Sequence, residues 1–274
     1  MSTTEQRWNQ FWAGHTFDGL VTKKNPETWT ELVWKISLER WHEIFEQLAP
    51  GKHMLEYGCG SAKVSQYMAL RGYQCTLLDL SETALNLARA NFAALSLQGQ
   101  FIRGDINQLG LADNEFDVVY SGGVVEFVSD IQSVIAETVR VLKPSGLFAM
   151  NIVPNKFSCQ TLANVERTLV HSIKCLWRRQ FREAFTSINH LPPGVSKATL
   201  KDYLRFCEIA GLTSVTGHCI SPFPALSLGR RGGQCYVWLL KRFLPQWQRF
   251  NQTQRRWAEI WGIAYAIYGV KPSF

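Results

Sequence analysis

From Met54 onward, short apolar runs alternate with stretches in which apolar residues recur every three or four positions. The first run, Met54, Leu55 and Tyr57 within 52–57, reads as a buried strand that stops at Gly58-Cys59-Gly60. Val64, Tyr67, Met68 and Leu70 then keep a helical period until Arg71-Gly72. A second strand over 74–78 ends at Asp79, and Ser81 caps a helix through Leu85, Leu87, Ala88 and Phe92. A third strand, 100–103, precedes Gly104-Asp105, and a fourth, 116–120, runs into Ser121-Gly122-Gly123. Ser129-Asp130 starts a helix through Ile131, Val134, Ile135, Val139 and Leu142, halted by Lys143-Pro144-Ser145-Gly146. The run 147–153 is nearly all apolar, as a strand covered on both faces must be. Five repeats of this size predict an α/β fold with a doubly wound parallel sheet, whose ligands sit at the C-terminal ends of its strands.

The flanks read differently. Trp8, Phe11 and Trp12 fall on one helical face, and Asn25-Pro26-Glu27 has the residues of a helix start. Val33, Trp34, Ser37, Trp41, Ile44, Phe45 and Leu48 carry that helix to Pro50-Gly51, so 1–50 forms a helical cap whose aromatics serve packing. Residues 51–154 hold the repeats. The insertion 155–195 has one helical face at Leu162, Val165, Leu169 and Ile173, with Lys174, Arg178, Arg179 and Arg182 at its far end, and reads as a lid over the substrate. The end of the core, 196–242, comprises a helix over 196–211 and strands over 213–220 and 234–241. In 243–274, Trp257, Ile260, Trp261, Ala264, Tyr265 and Tyr268 share a helical face flanked by Arg255, Arg256 and Lys271. That pattern suits a helix docked on the domain or lying on a membrane interface.

Charge sharpens the division. Residues 1–150 carry 12 basic and 17 acidic side chains, and residues 151–274 carry 17 and 5. A basic second half suits an anionic partner: substrate, membrane surface or nucleic acid. The seven cysteines form no CxxC pair and no zinc-ligand spacing, which predicts a reduced cytoplasmic chain, possible at a membrane periphery, without a bound metal. The N-terminal residues lack a signal-peptide layout, and no apolar run reaches the ~18 residues of a spanning helix.

Strand, glycine turn and helix at 52–70 aim backbone N–H groups and a positive helix end at a ligand. A dinucleotide GxGxxG pattern fails at its third glycine, because Lys63 stands there. LEYGCGSA, LLDLS, RGDI, FDVVYSGGVVEFV and VLKPSGLFAMNIV, in this order, resemble the class I S-adenosylmethionine-dependent methyltransferases that modify small molecules and lipids. The resemblance covers about residues 50–155, with a weaker tail over 196–240. It implies a Rossmann-like sheet of seven strands and S-adenosyl-L-methionine as cofactor.

By that resemblance, Glu56 and the turn Gly58, Cys59 and Gly60 face the cofactor's amino-acid part. Asp79, followed by Leu80, accepts from the ribose hydroxyls; Asp105 accepts from the adenine amino group, and Ile106 lies against the ring. Ser121 and Gly122 line the path to the methyl. Two positions depart from the family pattern: Ala62 replaces a common glycine, and Phe127 follows Glu126 where many relatives have histidine.

A sulfonium methyl is already activated, so transfer needs alignment and a deprotonated nucleophile. His190 and Glu126 are the candidate bases, with His15 and His218 behind them. The resulting expectation is a methyltransferase acting on a small or amphipathic acceptor, oxygen first, such as a lipid, quinone, glycan intermediate or secondary metabolite. Two alternatives remain at this stage. One is an RNA methyltransferase using the basic half, although the chain has no Asp/Asn-Pro-Pro-Tyr motif and no RNA-binding module. The other is a non-catalytic protein that kept the fold as a binding scaffold.

Overall fold

The computed structural model describes residues 4–161, 163–165, 168 and 196–273. Its centre is a seven-stranded sheet in the order β3-β2-β1-β4-β5-β7-β6. The strands are β1 (His53–Tyr57), β2 (Gln74–Asp79), β3 (Gln100–Arg103), β4 (Phe116–Gly122), β5 (Leu142–Ile152), β6 (Thr213–Ile220) and β7 (Ala264–Val270). The first five are parallel, and β7 lies antiparallel between β5 and β6.

Strand alternation feeds two cores. Leu55, Tyr57, Val119, Phe148 and Met150 point to one face, where α5 (Ile131–Val141) and α6 (Leu200–Ile209) cover them. Met54, Val118, Tyr120, Leu147 and Ala149 point to the other, under α2 (Trp29–Leu48), α3 (Lys63–Ala69) and α4 (Glu82–Ala94). The central strands β4 and β5 are covered on both faces, so residues 118–120 and 147–150 read as continuous apolar runs. Across 55–150 the observed elements follow the sequence reading within a few residues apart from one boundary, because caps and turns are local: Ser81 and Asp130 each accept from a backbone N–H at their helix starts. The exception is β5, which begins at Leu142 rather than 147, so Lys143-Pro144-Ser145-Gly146 lies within the strand, in an irregularity between the pairing of Phe116 with Leu142 and that of Val118 with Leu147.

Three expectations change. The N-cap of α2 is Thr28, in a capping box with Glu31, and Asn25-Pro26 lies ahead of the helix. Residues 234–241 are not a strand but most of α7 (Arg230–Arg242), whose Val237 and Leu240 pack with α8 (Leu244–Phe250) onto Leu32 and Ile36 of α2. The C-terminal segment is not one amphipathic helix: α9 (Arg256–Trp261) is short, and Ala264, Tyr265 and Tyr268 belong to β7. The sheet therefore has its seven strands, with the last supplied by residues inside the expected helical extension. The lid face at Leu162, Leu169 and Ile173 and its basic end at 174–182 lie outside the described residues.

Candidate active site

A cavity of about 300 Å³ opens at the carboxyl ends of β1, β2 and β4. It lies where the parallel order reverses between β1 and β4, the place at which open α/β sheets leave a crevice. Gly58, Asp79, Leu80, Asp105, Ile106 and Gly122 line it together. The six come from four separate sequence motifs, LEYGCGSA, LLDLS, RGDI and FDVVYSGGVVEFV.

The glycine turn is fixed by two constraints. Gly58 and Gly60 have φ of +60° and +51°, which side chains with a Cβ rarely adopt. A Cβ on Gly58 would also stand 2.4 Å from Val124 Cγ2, and one on Gly60 2.3 Å from Trp12 Cζ2. Ala62 adopts the same left-handed conformation at φ +56°, so its small side chain fits there at the expense of backbone strain.

Asp79 is the knot of the site. Its Oδ2 accepts from the Gly60 backbone N–H at 2.9 Å and its Oδ1 from the Ser81 N–H at 2.8 Å. One carboxylate thus ties the glycine turn to the start of α4. Burial outweighs these N–H donors and holds its carboxyl above the usual range. Asp105 is exposed; its Oδ1 accepts from the backbone N–H and Nδ2 of Asn107 at 2.9 and 2.7 Å, closing a tight local turn.

Other expected site residues stand behind this wall. Cys59 and Ser121 are buried, and Glu56, 5% exposed, accepts from the Ser65 N–H at the start of α3. Burial pushes the Glu56 carboxyl up to about 7. Glu126 is 1% exposed in the 3₁₀ turn Val125–Phe127, and burial raises its carboxyl to about 7 as well. Its Oε1 accepts from the Val153 N–H at 3.0 Å and its carbonyl from the Ser196 N–H at 2.7 Å. Glu126 therefore fastens the turn that carries Val124 and Phe127 into the cavity wall, rather than entering the cavity itself. His190 lies outside the described residues. His15 is exposed beside Phe11 and Trp12, and His218 lines a different, small space against α2.

The cavity has walls that the sequence reading assigned to packing. Trp8 and Trp12 of α1 (Thr4–Trp12) line it opposite Phe127, and Trp8 meets Phe127 edge-to-face at 5.4 Å. Asn9 holds α1 in place by accepting from Ser81 Oγ at 2.7 Å and the Thr83 N–H at 3.3 Å, and Glu5 pairs with Arg103. The i, i+3, i+4 spacing of Trp8, Phe11 and Trp12 was the available signal; only its destination was hidden.

These groups fit a nucleoside. Each Asp79 oxygen keeps a free lone pair for a diol. Asp105 Oδ2 accepts no hydrogen bond among the described residues, and Leu80 and Ile106 offer apolar surface to a flat ring. At the glycine end the fit requires movement, because the Trp12 ring lies against Gly60.

Residues 55–150 match the family model described as "Methyltransferase domain". Over 98 residues the chain is 37% identical to malonyl-[acyl-carrier protein] O-methyltransferase of Serratia marcescens, covering 36% of this chain and 37% of that one. It is 38% identical over 98 residues to ubiquinone biosynthesis O-methyltransferase of Hahella chejuensis, covering 35% and 41%. The chain thus spans well under two thirds of the length of the curated relatives it matches. The solved structure of a putative sarcosine dimethylglycine methyltransferase from Galdieria sulphuraria superposes with a TM-score of 0.56 at 15% identity, over 97% of this chain and 99% of that one, a likeness of fold. Glycine turn, sheet order and sequence match agree over one stretch of the chain: residues 55–150 form a methyltransferase domain of the class I, S-adenosylmethionine-dependent kind.

Proposed function

We propose that the protein transfers a methyl group from S-adenosylmethionine to an oxygen of a small or amphipathic acceptor. The observation that carries this reading is the single cavity joining Gly58, Asp79, Asp105 and Ile106 at the switch point of the sheet. Asp79 would accept from both ribose hydroxyls and Asp105 from the adenine amino group, with Ile106 against the ring. The Gly58 and Gly60 turn would approach the amino-acid part once Trp12 shifts. The cofactor, when bound, supplies an activated methyl on sulfonium sulfur. The chain's contribution is alignment and exclusion of water, for which Trp8, Trp12 and Phe127 form the outer wall.

That aromatic wall favours an acceptor with a flat or aliphatic body. The names of the Serratia and Hahella relatives, which concern an acyl-carrier-bound malonyl group and a quinone, support the same class. The six cysteines among the described residues are free thiols, which supports a reducing, cytoplasmic setting.

Calorimetric titration with S-adenosylhomocysteine tests the cofactor, with Asp105→Ala as comparator because among the described residues that side chain bonds only Asn107. Micromolar-range binding, weakened about tenfold by the substitution, is expected from losing one charge-assisted hydrogen bond of ~1.4 kcal/mol. Absence of binding by folded protein would overturn the reading. Methyl transfer from labelled cofactor to a phenolic quinone precursor and to an acyl-carrier-bound malonyl thioester then separates the acceptor classes.

A further inference from the structure

The chain leaves β6 at Ile220 and returns to the sheet at Ala264. Between them lie α7, α8 and α9, an insertion inside what would otherwise be a hairpin. β6 runs parallel to β5 and pairs at Ile220 with the first residue of β7. The insertion therefore emerges from the same edge of the sheet that carries the cavity.

Three consecutive residues hold it rigid. The Pro222 carbonyl accepts from Trp261 Nε1 of α9 at 2.8 Å, the Phe223 ring packs on Trp247 of α8 at 5.2 Å, and the Pro224 carbonyl accepts from the Tyr236 hydroxyl of α7 at 2.9 Å. Trp29 of α2 donates to the Phe223 carbonyl, fixing the whole insertion to the body of the protein. Phe250 of α8 packs against Trp257 at 5.4 Å, which joins α9 to the same unit.

Its outer surface has the wrong composition for water alone. On α7, Arg231, Cys235, Trp238, Leu239 and Arg242 fall on one helical stripe, opposite the buried Val237 and Leu240. Trp238 is 54% exposed, and Arg242 sits over its ring at 4.3 Å. On α9, Trp257, Ile260 and Trp261 share one face, with the first two 53% exposed. Phe243, at the joint of α7 and α8, is exposed too. Residues 221–263 contain seven basic side chains and one acid, Glu259, and none of the seven is in an ion pair among the described residues.

We propose that α7 and α9 form a docking surface for an anionic lipid bilayer, into whose interface Trp238, Leu239, Trp257 and Ile260 insert while the surrounding arginines meet the headgroups. Amphipathic helices with aromatic and aliphatic residues ringed by basic ones bind at that depth. The basic ring complements a negative leaflet. Leu239 and Ile260 favour a bilayer over RNA, since aliphatic side chains do not stack on bases. No helix among the described residues is long and apolar enough to cross a membrane, so this contact is peripheral. The proposal stands independently of the methyl-transfer reading, and it would present the cavity edge of the sheet to the surface where amphipathic acceptors reside.

Co-sedimentation of the full chain with phosphatidylglycerol-containing vesicles, beside vesicles of phosphatidylcholine alone, tests it. Binding to the anionic vesicles only is expected. Arg231→Gln with Arg242→Gln should weaken it about thirtyfold, at roughly a factor of five per cation near the surface. Trp238→Ala with Ile260→Ala should weaken it about tenfold at an unchanged melting temperature, because both side chains are more than half exposed and neither fastens one element to another. Failure of the full chain to sediment with anionic vesicles at low salt would overturn the proposal. So would salt-sensitive RNA binding that the Trp238→Ala, Ile260→Ala variant retains without any vesicle binding, which would give the arginines to nucleic acid. A dimer that Trp238→Ala dissolves, again without vesicle binding, would assign the face to a second copy of this chain.

Discussion

Asp79→Ala separates two roles that one carboxylate fills. In the structure its oxygens accept from the backbone N–H groups of Gly60 and Ser81, at 2.9 and 2.8 Å, in a site where the residue is 7% exposed. Alanine leaves both donors buried without an acceptor. An unsatisfied buried donor costs about 1–3 kcal/mol, so the two together cost about 2–6 kcal/mol. Relief of the desolvation that raises this carboxyl's pKa returns part of that, and the net loss should be about 2–4 kcal/mol. Against a typical stability of about 5–15 kcal/mol this is a large fraction, readable as a lower urea midpoint with an unchanged slope. Cofactor affinity should fall as well, partly because the glycine turn loosens. Asp105→Ala is the control: among the described residues its carboxylate bonds only Asn107 beside it, and it is exposed, so the fold should lose under about 0.5 kcal/mol while S-adenosylhomocysteine binding weakens. An Asp79→Ala protein whose midpoint shifts by less than about 0.5 kcal/mol would refute the claim that this carboxylate ties the turn to α4.

Gly58→Ala should destabilise the protein by about 2–4 kcal/mol, combining the left-handed φ with a Cβ 2.4 Å from Val124; urea melts read it, and a change under about 1 kcal/mol would mean that Val124 moves freely. Trp12→Ala should tighten S-adenosylhomocysteine binding a few-fold, because the ring no longer has to leave Gly60; weaker binding would make the ring part of the cofactor's wall. Glu126 has a folded-state pKa raised to about 7 from 4.5, so its stabilising contribution is complete below about pH 4.5 and is lost as pH rises through 7. That loss is on the order of 3 kcal/mol, and Glu126→Gln should flatten the fall in urea midpoint between about pH 5 and about pH 8. A slope unchanged in the variant would place the titration elsewhere, Glu56 being the other buried carboxyl raised to about 7. Thr28→Ala should cost about 1 kcal/mol through loss of the capping box at the start of α2, measured by thermal melting.

The chain by itself determined the parallel half of the sheet and the glycine-and-acid side of the cavity. Strands covered on both faces give mostly apolar runs, and the signals that bound the elements, the turn Gly58-Cys59-Gly60, the helix caps Ser81 and Asp130 and the acids Asp79 and Asp105, act within a few residues of where they stand. Such signals survive translation from sequence to structure because their energetics are local. The antiparallel end did not translate. Ala264, Tyr265 and Tyr268 satisfy a helical spacing as readily as a strand, and 234–241 an alternation as readily as a helix, since apolar runs this short fit both periods. What decided between them was the partner. The gap between β5 and β6 offers unpaired backbone on both sides, which a strand satisfies with two ladders and a helix cannot; α2 offers Leu32 and Ile36, which Val237 and Leu240 cover only from a helix. The same holds for Trp8, Trp12 and Phe127. Their aromatic character is written in the sequence, but their meeting across one cavity depends on Asn9 reaching Ser81 more than seventy positions away, and only the folded chain brings those together.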